Sequence, residues 1–114
     1  MGSTGQNTFG DYAQSGTTKC DDSIDSQLED VGRSAYFTAV KALPKKGTAV
    51  RLRPQVQSGR LVVEETGAGR AVGNLPTRFH YLLLCIQKGY SYEGEVTLSR
   101  AGKVPIVEVH LDPV

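Results

Sequence analysis

A chain of 114 residues, 39% hydrophobic and 22% charged with a formal net charge of +1, has the length of one domain. It holds no apolar run long enough to span a membrane, and its N-terminus lacks the basic-then-apolar layout of a secretory signal, so a cytoplasmic protein without a membrane partner is expected. Cys20 and Cys85 lie far apart in unlike contexts, without the short spacing of a zinc or thioredoxin-type site; they read first as two ordinary thiols, with a disulfide or a metal site as the lesser alternative, and no cofactor is expected.

Residues 1–26 are rich in Gly, Ser, Thr, Gln and Asp, with Phe9, Tyr12 and Ile24 as the sizeable apolar groups. Such a segment buries too little surface to offset its ordering entropy, so it is expected to be a disordered polar tail in front of a domain spanning 27–114. Charge divides at the same place. Residues 1–30 carry Lys19 against six carboxylates, net −5, whereas residues 31–114 carry twelve cations against six carboxylates, net +6.

Strand signals follow. Residues 34–42 (SAYFTAVKA) mix aromatic and β-branched side chains and read as a strand leading into a turn with a basic tip, Pro44-Lys45-Lys46-Gly47. Residues 48–53 alternate strictly, with Val50 and Leu52 on one face and Arg51 and Arg53 on the other. A Ser58-Gly59 turn leads into Arg60–Glu65, and Thr66-Gly67-Ala68-Gly69 turns back into Arg70–Val72. Pro76 then suits the first turn of a helix near 77–88, with Phe79, Leu82, Leu83 and Ile86 on one face and Gly89 as its stop. From Tyr90 the period returns to two: Tyr90, Tyr92, Val96 and Leu98 form one face of a strand. A turn at residues 100–103 precedes a last strand, Pro105–Leu111, with Val107, Val109 and Leu111 on one side. The fold class is mainly β, a small, partly open OB-like barrel of about six strands with one principal helix.

No catalytic constellation is visible. His80 and His110 form no Cys–His, Ser–His–Asp or HExxH spacing, and Gly67-Ala68-Gly69 is a hairpin tip without the spacing of a phosphate loop, so the protein reads as non-enzymatic. The basic residues are more informative. Lys45, Lys46, Arg51, Arg53, Arg60 and Arg78 form a phosphate-binding track if the first hairpin and the helix start share a face, with Tyr36, Phe37 or Tyr81 as a stacking surface. The bland alternative is a solvated face that keeps the domain soluble. Tyr81, Leu84 and Cys85 lie off the main helix stripe; they are either core or a surface for a protein partner.

From Lys45 onward the chain resembles the HIRAN domain. Four runs carry the resemblance: Gly47-Thr48-Ala49-Val50-Arg51-Leu52; Arg60-Leu61-Val62-Val63; Val72-Gly73-Asn74-Leu75-Pro76; and Gly89-Tyr90-Ser91-Tyr92-Glu93-Gly94-Glu95-Val96. The resemblance implies an OB-like barrel that captures the exposed 3′ end of single-stranded DNA. The family's Asn-Pro-x-Asp segment, part of its DNA-end pocket, is absent, and residues 54–59 (PQVQSG) take its place. The function expected is therefore a nucleic-acid-binding accessory module, most readily for single-stranded DNA, with Lys45, Lys46, Arg51, Arg53 and Arg78 on phosphates and Tyr36 stacked on a base. The alternative is a protein-interaction module of phage or mobile-element type that uses the acidic tail or the Tyr81/Leu84 surface.

Overall fold

The computed structural model describes residues 19–114. In chain order these form strand β1 (Ile24–Gln27), a 3-10 turn (Val31–Arg33), helix α1 (Ala35–Val40), strands β2 (Ala49–Gln57), β3 (Arg60–Glu65) and β4 (Ala71–Asn74), a second 3-10 turn (Thr77–Phe79), helix α2 (Leu82–Gln87), and strands β5 (Tyr92–Arg100) and β6 (Ile106–Pro113). The strands make one antiparallel sheet in the order β1-β6-β5-β2-β3-β4. Beyond β1 the chain crosses to the far edge. Leu28 donates its N–H to Val107 O (2.8 Å), and Glu29 exchanges backbone bonds with Asn74 of β4 (2.8 and 2.9 Å). The two edge strands are thus drawn together without full closure, in keeping with the small, partly open barrel expected.

The interior follows from alternation. Val50 and Leu52 of β2, Leu61 and Val63 of β3, Val96 of β5, and Val107, Val109 and Leu111 of β6 are all at most 5% exposed, and Val72, Leu75 and Leu82 are fully buried. Each such side chain contributes about 1.5–3 kcal/mol on leaving water. The β5 pattern breaks at Leu98, because a bulge between Val96 and Leu98 shifts the register against β6. At Gly94 a Cβ would lie 1.7 Å from the carbonyl oxygen of His110, so only glycine lets β5 approach β6 this closely.

Three features differ from the sequence reading. First, residues 35–40 are helical. The Ser34 hydroxyl accepts the N–H of Phe37 (3.1 Å) and donates to Val31 O (2.8 Å), and this cap overrides the β-branched and aromatic content. The helix stops at Lys41, which takes a left-handed conformation (φ 64°). Second, the domain begins before residue 27. Ile24 and Ser26 face inward on β1, register against Leu111 and Val109, and with buried Cys20 and Leu28 belong to the fold. The rest of the acidic tail, residues 1–18 with Phe9 and Tyr12, lies outside the described residues. Third, Cys20 and Cys85 are not free thiols but a disulfide, with Cα atoms 5.5 Å apart across 65 residues of sequence. Pairing of β1 with β6 brings Cys20 over α2, a juxtaposition that no sequence spacing reveals. The Tyr92 hydroxyl donates to Cys20 O (2.9 Å) beneath this link, and burial pushes that phenol up to about 12.

The expected helix near 77–88 is present as a 3-10 turn followed by α2, with Gly89 at φ 102° beyond its end. Its most buried side chains are Leu82 and Cys85, while Phe79, Leu83, Ile86 and Tyr81 pack half-buried against the core. Leu84 is left 59% exposed.

Candidate nucleic-acid interface

Arg51 and Arg53 project from the outer face of β2, as the alternation requires, and meet a partner there. Arg51 stands in register with Glu64 of β3, and both arginines place Nε 2.5 Å from that one carboxylate. Burial pushes Glu64 up, but the hydrogen bonds and charges of Arg53 and Arg51 outweigh it, so the carboxyl titrates below its ordinary value. Arg53 is further used by Gln57 and by Gly69 O (2.9 Å). Arg60 is held by Glu29, Asp30 and Leu75 O, and Arg70 by Glu65. Each of these four guanidinium groups is thus answered by a carboxylate within the fold.

Acids complete the same face. Cross-strand register sets Glu93 of β5 between Arg51 and Asp112, and sets His110 of β6 between Asp25 and Glu95. His110 places Nδ1 2.7 Å from Asp25 and Nε2 3.0 Å from Asp112, which also accepts the Ser23 hydroxyl. These contacts raise the imidazole above its usual range, with the Asp25 hydrogen bond the largest cause. The order is Ser–Asp–His–Asp, so the hydroxyl faces a carboxylate and not the base that would activate it. A phosphate chain crossing the sheet face would meet Glu93, Glu95 and Asp112.

The remaining expected residues lie elsewhere. Arg78 lies within the second 3-10 turn with its guanidinium 4.8 Å from the Phe79 ring, and Tyr36 packs half-buried against the core. Tyr81 is covered in part by Lys19, whose ammonium sits 5.2 Å from the ring centroid. Lys45 and Lys46 are exposed in the loop before β2, where Gly47 donates its N–H to Val96 O (2.7 Å). Residues 54–59, where the resembling family has its Asn-Pro-x-Asp segment, form the end of β2 and the hairpin turn, with positive φ at Ser58 and Gly59. Gln57 and Ser58 line a mixed hollow of about 290 Å³ whose other walls include Asp30, Arg33, Arg60 and Asn74. Asp30 accepts from Asn74 (2.9 Å) and faces both arginines at 3.6 and 3.7 Å, so the hollow carries its own counter-charge.

One part of the molecule carries cations without acids. The stretch from α1 to the β2 loop, residues 35–46, contributes Lys41, Lys45 and Lys46; the β5–β6 turn and its flanks, residues 97–107, contribute Arg100 and Lys103; neither stretch contains an Asp or Glu. Among the described residues none of these five side chains makes an ion pair. The two stretches meet around an apolar hollow of about 290 Å³ lined by Phe37, Leu43, Ala101, Gly102 and Pro105, with Lys41 in its wall. Lys41, Arg100 and Lys103 were not among the residues singled out from sequence; the signal available was the lack of carboxylates across two segments that only the fold brings together.

Among the described residues no helix is long and apolar enough to cross a membrane, and no group of three or more His, Cys, Asp or Glu side chains is placed to hold a metal ion. Comparison with family models, curated proteins and solved structures finds no match to this chain.

Proposed function

We propose that this chain is a non-enzymatic module that binds single-stranded nucleic acid, DNA first among the candidates, through the cationic end formed by Lys41, Lys45, Lys46, Arg100 and Lys103. The observation that carries this reading is the segregation of charge: Lys41 stands in the wall of an apolar hollow and four more cations lie on the two chain segments that form it, none with an ion pair among the described residues, while Arg51, Arg53 and Arg60 are answered by carboxylates. Lys45 and Lys46 keep the role expected of them. Arg51 and Arg53 become organisers of the β2–β3 face, and Arg78 and Tyr36 fall outside the interface. The four runs that resemble the HIRAN domain fall in order on β2, β3, the β4-to-turn step and β5, positions that build the sheet, so charge alone carries the functional reading.

The buried disulfide bears on where the module works. Such links persist where thiols oxidise, which favours an oxidising compartment over the cytoplasm expected from sequence. Thiol trapping of the protein from its source cells decides between them.

Fluorescence anisotropy with short single-stranded oligonucleotides tests the function. Binding should weaken with salt at a log–log slope of about −0.7 per phosphate contact, and the combined Lys45→Glu, Lys46→Glu and Lys103→Glu variant should lose at least about tenfold in affinity. Absence of binding at low salt overturns the reading. The α2 surface around Leu84, 59% exposed beside Tyr81, then becomes the place to seek a protein partner.

A further inference from the structure

We infer that the hollow between α1 and the β5–β6 turn is a socket for one unpaired nucleobase. The inference rests on the nucleic-acid reading above and deepens it. The socket's apolar wall comes from Phe37, Leu43, Ala101, Gly102 and Pro105, and its volume of about 290 Å³ lies near the lower limit for a ligand pocket. That is ample room for one planar ring system. Phe37 is half-buried yet does not belong to the group of side chains packed on the core, unlike its neighbour Tyr36, so its ring is available to a guest. Every base has a π-face, and an aromatic wall accepts any of them.

Lys41 supplies the second observation. It closes α1 in the left-handed conformation, φ 64°, with its N–H on Phe37 O (2.8 Å), at a position that glycine usually fills at lower cost. A lysine there places a cation in the socket wall, and it makes no ion pair among the described residues. Lys45, Lys46, Arg100 and Lys103 continue the positive charge along both flanking segments, without a carboxylate to repel a phosphate. An unpaired base in the socket with its phosphates on the rim satisfies both the apolar wall and the charge. Duplex DNA presents the phosphates but not the base.

A thermodynamic cycle tests this on the full chain. Wild type and Phe37→Ser are titrated by anisotropy with oligothymidylate, with the same backbone lacking its bases, and with a duplex. Wild type should bind oligothymidylate about tenfold or more tighter than the base-free strand, and Phe37→Ser should erase that difference while binding the base-free strand and duplex as wild type does. Lys41→Gln should weaken all three ligands and reduce the salt slope by about one phosphate contact. Circular dichroism and a melt check that each variant is folded. Equal binding of oligothymidylate by wild type and a folded Phe37→Ser overturns the socket and leaves the charge reading standing. Binding of no strand at all overturns both. An acidic peptide with an apolar anchor residue, titrated alongside, that binds where no strand does reassigns the hollow to a protein partner.

Discussion

The Cys20–Cys85 disulfide closes a loop of 65 residues, and its removal is the most consequential perturbation available. The chain-entropy relation for a loop of that length gives about 14 cal/mol/K, or about 4 kcal/mol at room temperature, by which the cross-link raises the free energy of the unfolded state. A Cys20→Ala, Cys85→Ala variant avoids leaving buried hydroxyls and adds a smaller packing loss, since both residues are only 1% exposed. The total, about 4–5 kcal/mol, is a large part of the ~5–15 kcal/mol that holds a typical domain folded. For a domain of this size it corresponds to a fall in Tm of about 15–30 °C. Urea melts of the oxidised protein, the reduced protein and the variant measure it, and the urea m-value should rise in both linkage-free forms because their unfolded chains are less compact. Hydrogen exchange should quicken first on β1, which the link and the Tyr92–Cys20 bond fasten beside α2. A Tm that reductant leaves unchanged, or two titratable thiols in folded protein prepared without reductant, refutes the reasoning.

Three further outcomes follow from the geometry. Gly94→Ala should cost about 3 kcal/mol or more, because the new Cβ meets the His110 carbonyl and not a movable side chain, whereas Gly67→Ala, which meets only a Glu65 carboxylate oxygen at 3.3 Å, should stay within about 1 kcal/mol; urea midpoints compare them. His110 gains stability from Asp25 and Asp112 as the imidazolium; since its folded pKa lies above the ordinary 6.5, that contribution is complete below 6.5 and fades as pH rises through the folded value. The gap in urea midpoint between wild type and His110→Gln should therefore shrink from pH 6 upward, at ionic strength held constant; a gap that does not change with pH contradicts the pairing of His110 with Asp25 and Asp112. Glu64→Gln should destabilise by about 1–3 kcal/mol at neutral pH by leaving Arg51 and Arg53 without their shared anion, and the difference should narrow as acid protonates Glu64 in the wild type; a neutral effect in a pH-resolved denaturation series would contradict the pairing.

The four runs behind the HIRAN resemblance occupy positions with packing reasons. Val50, Leu52, Leu61, Val63, Val72, Tyr92 and Val96 are buried, Gly47 and Gly89 have positive φ, and Gly94 allows close strand approach. Motifs of this kind describe how a sheet is built. They say little about what it binds, which is why Lys41, Arg100 and Lys103 were silent in the sequence while the core was legible.

Local periodicity was enough to read β2, β3, β5, β6, the stop at Gly89 and the inward residues of the last strand, because alternation and glycine conformation act over a few residues. Longer-range facts escaped it. A polar stretch holding Ile24 became a strand because β6 offered it an edge, and residues 35–40 became a helix because Ser34 could cap them. Two distant cysteines were joined, and the arginines of β2 were spent on Glu64, by cross-strand neighbours that sequence separation hides. Charge was countable from composition, but whether a cation is free depends on which carboxylate the fold sets beside it, and that is a property of register and closure.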